Sequence, residues 1–332
     1  MQLLRKLAFP FSLLYALVVY LRNYLFNVGF FSSKTFKTPT ICVGNLSAGG
    51  TGKTPMIEFL LRNLQNQYKL AVLSRGYGRK SKGLLVANSS TTVEDLGDEP
   101  YQIYKKYPVA TMVVDGDRRN GIATLEKDIK PDLILLDDAY QHRKVKPTFS
   151  ILLTAYGSLY ADDWYLPTGN LRDAKTEAKR ANIIIVTKCP NTITINEQEE
   201  IALKLQPKKH QQLLFASLSY STILKGNKKQ LTLDNFKGKK ITLVTGIANP
   251  IPLVDFLNSQ GVDFEHLAYN DHHFFTDAEI ENFASKYFVL TTEKDFVRLQ
   301  GKLSNLCYIE VQHKLLQDGK ATLLRSIKNT IM

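Results

Sequence analysis

Short runs of consecutive apolar residues punctuate the first two thirds of the chain. They lie at Ile41–Val43, Lys69–Leu73, Pro108–Val114, Asp132–Leu136, Phe149–Thr154 and Asn182–Thr187. Runs of this length, unbroken by polar alternation, predict strands buried on both faces. Helical spacing fills most of the intervals. It is clearest after Pro55, where Ile57, Leu60, Leu61 and Leu64 recur on one face. Strands alternating with helices predict a doubly wound, mostly parallel α/β sheet with its chemistry at the carboxyl ends of the strands. The polar clusters Ser74–Arg79, Asp115–Arg119 and Asp137–His142 all fall at such ends.

The pattern changes near residue 213. Leu213–Lys228 is strand-like and rich in turn formers, and the stretch from Lys225 to Lys240 is basic. Residues 213–240 are therefore expected to be a linker of extended strands, closing a first domain at 32–212. Beyond it, Ile241–Val244, a helix after Pro250, and strands near Tyr287–Leu290 and Leu306–Ile309 repeat the α/β alternation. This predicts a second, smaller α/β domain over 241–332.

Residues 1–31 follow neither pattern. Arg5 and Lys6 precede an apolar run from Leu7 to Leu21, interrupted by Pro10 and Ser12 and followed by Arg22. The run is short against the roughly 20 residues of a spanning helix, and no small-x-small cleavage site follows it. A helix lying in a membrane interface fits best, with Tyr15, Tyr20 and Tyr24 at the boundary and basic residues against anionic headgroups. A core helix leading into the first strand is the alternative.

The densest chemistry follows the first strand, in VGNLSAGGTGKTP (43–55). Strand, glycine loop and helix in that order form a phosphate-binding loop (P-loop). Ser47, Ala48, Gly49, Gly50, Thr51, Gly52, Lys53 and Thr54 would line it. Lys53 would reach the outer phosphates, and the Thr54 hydroxyl would ligate Mg²⁺. Ser47 stands where the strict pattern has glycine. Asp137, ending the run Leu133–Leu136, has the position of a carboxylate carried to the phosphate edge on a buried strand. Asp138 follows as a second metal contact or water-orienting group. For a kinase, Asp98 and Glu99 in the loop Gly97–Pro100 are candidate bases, with His272 or His273 as partner. Thr187-Lys188-Cys189-Pro190 lacks the aspartate of a guanine-reading motif.

Charge narrows the partners. Lys and Arg total 43 against 31 Asp and Glu, a net +12 over 332 residues. This favours anionic ligands or an anionic membrane face. No interleaved basic and aromatic array argues for nucleic acid, and no obligate protein partner is evident. Cys42, Cys189 and Cys307 sit in or beside apolar runs and read as small buried hydrophobes in a reducing, cytoplasmic setting.

Taken in order, VGNLSAGGTGKTP, LSRGYGR, GDEP, VDGDRRNG, LLDDAYQHR, LPTGNLRD, DHHFF and TTEKD resemble the tetraacyldisaccharide 4′-kinase (lipid A 4′-kinase) family over nearly the whole chain. The resemblance implies transfer of the ATP γ-phosphate to the 4′-hydroxyl of a tetraacyldisaccharide 1-phosphate. It also implies Mg²⁺, a membrane-associated N-terminal helix and a place on the cytoplasmic face of the inner membrane. It makes Asp98 the base, paired with His272 in preference to His273. It places Glu99, Asp137 and Asp138 among the metal or phosphate-network acids, Arg118 and Arg119 at phosphate or the substrate 1-phosphate, and Asn170 and Arg172 near the site. A membrane-docked ATPase switch, the rival reading, leaves the GDEP and DHH loops and the second domain without a role. A soluble sugar kinase leaves the N-terminus without one.

Overall fold

The computed structural model describes residues 5, 7–227, 231–271 and 273–331. Lys6, Lys228 and His272, all named above, lie outside the described residues. A single sheet of thirteen strands runs through the described residues. Its long path begins with Phe264–Ala268, Ile241–Thr245, Val289–Thr292 and Leu306–Leu315. It continues through Gln212–Gly226, Ile183–Thr187 and Phe149–Ala155, then through Thr40–Asn45, Leu133–Asp137, Leu70–Ser74, Thr111–Val114 and Leu85–Val86. Most pairs are parallel, as the unbroken apolar runs require. The antiparallel pairs are Gln212–Gly226 with Leu306–Leu315, Gln212–Gly226 with Leu231–Thr232, and Leu85–Val86 with Thr111–Val114.

The expected linker is thus a 15-residue strand, Gln212–Gly226. It pairs in parallel with Ile183–Thr187 at its start and antiparallel with Leu306–Leu315 beyond it. Leu306–Leu315 also runs past the four residues expected of it. Gln212–Gly226 is only partly buried, and beyond Leu306–Ile309 the partner strand mixes polar with apolar residues, so the apolar pattern marks neither along its full length. Together they form a two-stranded ribbon joining two lobes.

The first lobe is built on two cores. On one face of the sheet, Met56, Ile57, Leu60 and Leu61 of the helix Lys53–Leu64 pack with Ile41, Val43 and Leu135. On the other, Ile122 and Tyr140 pack with Cys42, Ile134 and Leu136. The second lobe has smaller cores around Leu243, Leu257 and Leu290, and around Phe283 and Leu306. The last helix, Gly319–Ile331, departs from the expected boundary. Leu323 and Ile327 are fully buried in the first core, beside Met56 and Ile57. An amphipathic helix buries its apolar stripe wherever the sheet leaves a face open, and here the chain returns to the first lobe to do so.

Candidate active site

The glycine loop hangs between the buried strand Thr40–Asn45 and the helix Lys53–Leu64. Gly44 is required by close packing: a Cβ there would lie 2.6 Å from Tyr140 Cβ. Gly52 has φ +84°, left-handed backbone suited to glycine. The scaffold holds the loop from outside. Thr187 Oγ1 donates to the Thr51 carbonyl (2.9 Å), and Asn45 Nδ2 to Thr51 Oγ1 (2.8 Å). His313 Nε2 bonds the Gly52 carbonyl at 2.8 Å. The Ala48 N–H donates to the Asn170 carbonyl at 2.6 Å, and the Arg172 N–H to the Leu46 carbonyl at 2.9 Å. The N–H groups of the first helical turn have no intrahelical acceptor. They and the helix dipole make this a site for anions.

Asp137 ends the neighbouring strand, in register with Val43. It is buried, and Ser74 Oγ donates to its Oδ2 at 3.0 Å. Its Oδ1 is buried, with no hydrogen-bond partner among the described residues. Burial, with smaller contributions from Glu99 and Asp138, pushes its pKa up to about 7. Asp138 follows in a left-handed conformation, φ +45°, which is uncommon for a residue with a Cβ. Arg172 grips both of its oxygens and also reaches Asn45 Oδ1. Lys53 Nζ lies 3.8 Å from Asp138 Oδ2. Burial works against ionisation of Asp138, but Lys53 and Arg172 outweigh it and hold the carboxyl below its usual range.

This donor set suits Mg²⁺. Among the described residues no cluster of three or more Asp, Glu, His or Cys side chains forms a metal cage. Mg²⁺ takes one or two carboxylates and completes its shell with water and substrate phosphate. The orphaned Asp137 Oδ1, beside a helix whose second residue is Thr54, is a donor that such a shell would accept. Glu99 is more exposed and has Lys294 Nζ at 3.6 Å.

Asp98 opens the helix Asp98–Lys106. Its Oδ2 accepts from Arg298 on the helix Glu293–Leu299 of the second lobe. The same guanidinium donates to the His273 carbonyl (3.2 Å) and to Asp295 Oδ1 (3.3 Å). Arg298 thereby ties Asp98 to the histidine loop. The His273 imidazole is engaged elsewhere, with Glu279 at 3.0 Å and stacked on Tyr269.

A family model for tetraacyldisaccharide-1-P 4′-kinase, LpxK, matches residues 4–330. The tetraacyldisaccharide 4′-kinase of Flavobacterium johnsoniae is 45% identical, with 100% of this chain and 99% of that protein covered. That of Flavobacterium psychrophilum is 46% identical over 96% of this chain and 95% of that protein. The crystal structure of LpxK from Aquifex aeolicus in complex with ATP matches with a TM-score of 0.80 at 29% identity, covering 99% of this chain and all of that one. The chain belongs to the tetraacyldisaccharide-1-P 4′-kinase family. Its parallel-dominated α/β fold and apolar N-terminal helix are those expected from the sequence.

The remaining expected site residues are placed unevenly in this family member. Arg118 is buried and donates to the carbonyls of Asp115 (3.0 Å) and Asp137 (3.4 Å), bracing strand ends. Arg119 is folded onto Asp117, with Nη2 2.7 Å from Oδ2. Asn170 reaches the P-loop through its backbone carbonyl, while its side chain accepts from Arg5 at 2.8 Å. Arg79 braces its own loop, donating to Ser81 Oγ (3.3 Å) and the Val114 carbonyl (3.4 Å).

Several contributors were not singled out from the sequence. Arg298 and His313 arrive from the second lobe and the ribbon. Lys106 joins Glu58, Glu293 and Glu310 at 2.6, 2.8 and 2.9 Å. That cluster links the P-loop helix, the Asp98 helix, the Arg298 helix and the ribbon. Burial, with repulsion from Glu58, pushes Glu293 up to about 8. Only Glu293 sits in a motif, TTEKD; for the others, acidic residues at buried helical positions, such as Glu58, are the only local hint.

The helix Phe9–Asn27 docks through its polar side. Ser12 Oγ donates to Thr168 Oγ1 (2.8 Å), Asn23 Nδ2 to Asp173 Oδ1 (2.7 Å), and the Tyr15 hydroxyl to the Arg172 carbonyl (3.2 Å). Phe11, Leu14, Leu17 and Leu21 face outward, each more than half exposed. The core-helix alternative therefore does not hold. The loop that receives the helix, 163–173, is the one that carries Asn170 and Arg172 to the P-loop.

Proposed function

We propose that the protein transfers the γ-phosphate of ATP to the 4′-hydroxyl of a tetraacylated glucosamine disaccharide 1-phosphate, forming lipid IVA in lipid A biosynthesis. Family membership over residues 4–330 supports the reaction. The observation that favours a kinase over a nucleotide switch is Asp98. It is a buried carboxylate at a helix start, bound through Arg298 to the histidine loop of the opposite lobe. A hydroxyl acceptor needs a group to take its proton, and Asp98 fills that role, with His272 as its orienting partner.

In this reading the loop 47–54 wraps the phosphates and Lys53 leaves Asp138 to meet them. Thr54 and Asp137, supported by Asp138 and Glu99, would hold Mg²⁺, which would neutralise charge developing on the phosphoryl oxygens. Arg172 keeps Asp138 in place, and Arg119 faces the acceptor and its 1-phosphate, while Arg118, bonded to the Asp115 and Asp137 carbonyls, braces the strand ends behind it. The Arg119–Asp117 ion pair stands as a resting position, to be exchanged for substrate. The P-loop kinase domain spans 32–212 and is completed by the last helix. A strand linker, 213–240, leads to the smaller domain of 241–332. The exposed apolar face of residues 9–27 lies in the cytoplasmic leaflet of the inner membrane, where the acylated substrate resides.

Phosphoryl transfer from labelled ATP to the disaccharide 1-phosphate in mixed micelles tests this directly. Labelled lipid is the expected product. Inorganic phosphate without labelled lipid would overturn the proposal.

A further inference from the structure

Lys188 directly follows the strand Ile183–Thr187, which is separated from the P-loop strand by Phe149–Ala155 alone. Its backbone is left-handed, φ +58°, a conformation that residues with a Cβ adopt mainly where the surroundings impose it. The ammonium lies over the phosphate loop: a Cβ built on Gly50 would be 3.9 Å from Lys188 Nζ. No other atom outside the loop's own neighbours comes within 4 Å of that point.

Among the described residues the charge of Lys188 has no match. Lys53 and Arg172 face Asp138, Arg298 faces Asp98, and Lys106 faces three glutamates. Among the described residues Lys188 has neither an ion-pair nor a hydrogen-bond partner. It is half-buried, and burial alone lowers its ammonium pKa. The neighbouring His313 also feels the cation, which adds to the burial that keeps its imidazole neutral. A surface lysine normally buries its stem and sends its head to water. Here the head is turned to a loop built for phosphate. A desolvated ammonium without a counter-charge is unfavourable, and the anion that belongs beside this loop is the ligand's.

We propose that Lys188 is a second cationic contact to the phosphate chain of the bound nucleotide, acting from the Gly50 side of the loop while Lys53 acts from the helix. This rests on the P-loop binding ATP, as set out above. It also gives a role to the Thr-Lys pair that remains where a guanine-reading motif would need an aspartate.

The test is titration calorimetry on the full chain in detergent micelles, with MgATP and with AMP. Lys188→Met keeps the alkyl stem and removes the charge; Lys188→Gln removes the charge with a polar side chain, so a packing fault at Met cannot imitate the effect. Both are expected to weaken ATP at least tenfold and AMP by less than threefold. Their melting temperatures without nucleotide should be equal to or above that of the wild type. Wild-type ATP affinity in both variants overturns the proposal. So do equal losses for ATP and AMP, which would put Lys188 at the nucleoside. Lys53→Ala separates the two levels. If it loses ATP binding while the Lys188 variants do not, only the Lys188 contact falls. If it too binds ATP normally, the reading of the loop falls with it.

Discussion

His313 of the ribbon and Gly52 of the P-loop come together. The imidazole Nε2 bonds the Gly52 carbonyl at 2.8 Å, and a Cβ at residue 52 would lie 2.6 Å from the same nitrogen. Gly52 is thus fixed twice, by its left-handed backbone and by the ring against it. His313 is neutral, pushed down to about 4 by burial, so Nε2 carries the proton and donates. His313→Leu removes the donor while the Met56 N–H continues to bond the same carbonyl. A net hydrogen bond of about 1 kcal/mol predicts a rise in the KM for ATP of roughly fivefold. His313→Gln, which can still donate, should restore most of it, and the KM for the lipid acceptor should move in neither variant.

Asp98→Asn keeps shape and hydrogen bonding but cannot take a proton. The kcat is expected to fall by about two orders of magnitude or more, with ATP affinity by calorimetry nearly unchanged. Arg298→Met should fall between that variant and the wild type, because it loosens Asp98 without removing it. Near-normal turnover in Asp98→Asn would assign the base elsewhere.

Asp137 and the buried histidines predict opposite pH dependences. Asp137 titrates at about 7 in the folded protein, above the ordinary 3.8. Its contribution to stability is complete below about 4 and is lost as pH rises through 7. His313 and His142, both pushed down to about 4 from 6.5, contribute fully above 6.5 and lose that contribution as pH falls towards 4. Melting curves of the nucleotide-free protein should therefore show Asp137→Asn abolishing the loss on the alkaline side only. On the proposal that Asp137 holds the metal, Mg²⁺ must displace its proton, so Mg²⁺-dependent ATP affinity should rise between about pH 6 and 8 in the wild type more steeply than in that variant.

The outer face of the N-terminal helix is separable from its inner one. Leu14→Glu with Leu17→Glu alters two side chains that are 60% and 64% exposed and touches none of the bonds to Thr168, Arg172 or Asp173. The double variant should retain its melting temperature and ATP affinity but fail to float with anionic vesicles. Unchanged flotation would remove the helix as the membrane contact. Deleting the helix outright is a poorer test, because Asn23 and Arg22 bind the buried Asp173 carboxylate beside Arg172.

What was legible in the sequence was local. The glycine loop, its strand and the Asp137 strand end each lie within a short window, where buried parallel strands show as unbroken apolar runs. The pairing of the ribbon was not: Gln212–Gly226 and Leu306–Leu315 read as extended pieces, but they gain their register from residues about 90 positions away. Arg298, His313 and Lys106 were invisible for the same reason: each acquires its partner only when the register of that ribbon is set. Arg118 was expected at phosphate or the substrate 1-phosphate, but its guanidinium is bonded to carbonyl oxygens inside the fold.

The return of the last helix to the first core has a consequence for how the molecule comes apart. Leu323 and Ile327 share one core with Met56 and Ile57 of the P-loop helix, so the nucleotide loop rests on residues from both early and late parts of the chain. Disrupting the helix Gly319–Ile331 is expected to loosen that loop, although the two are far apart in sequence.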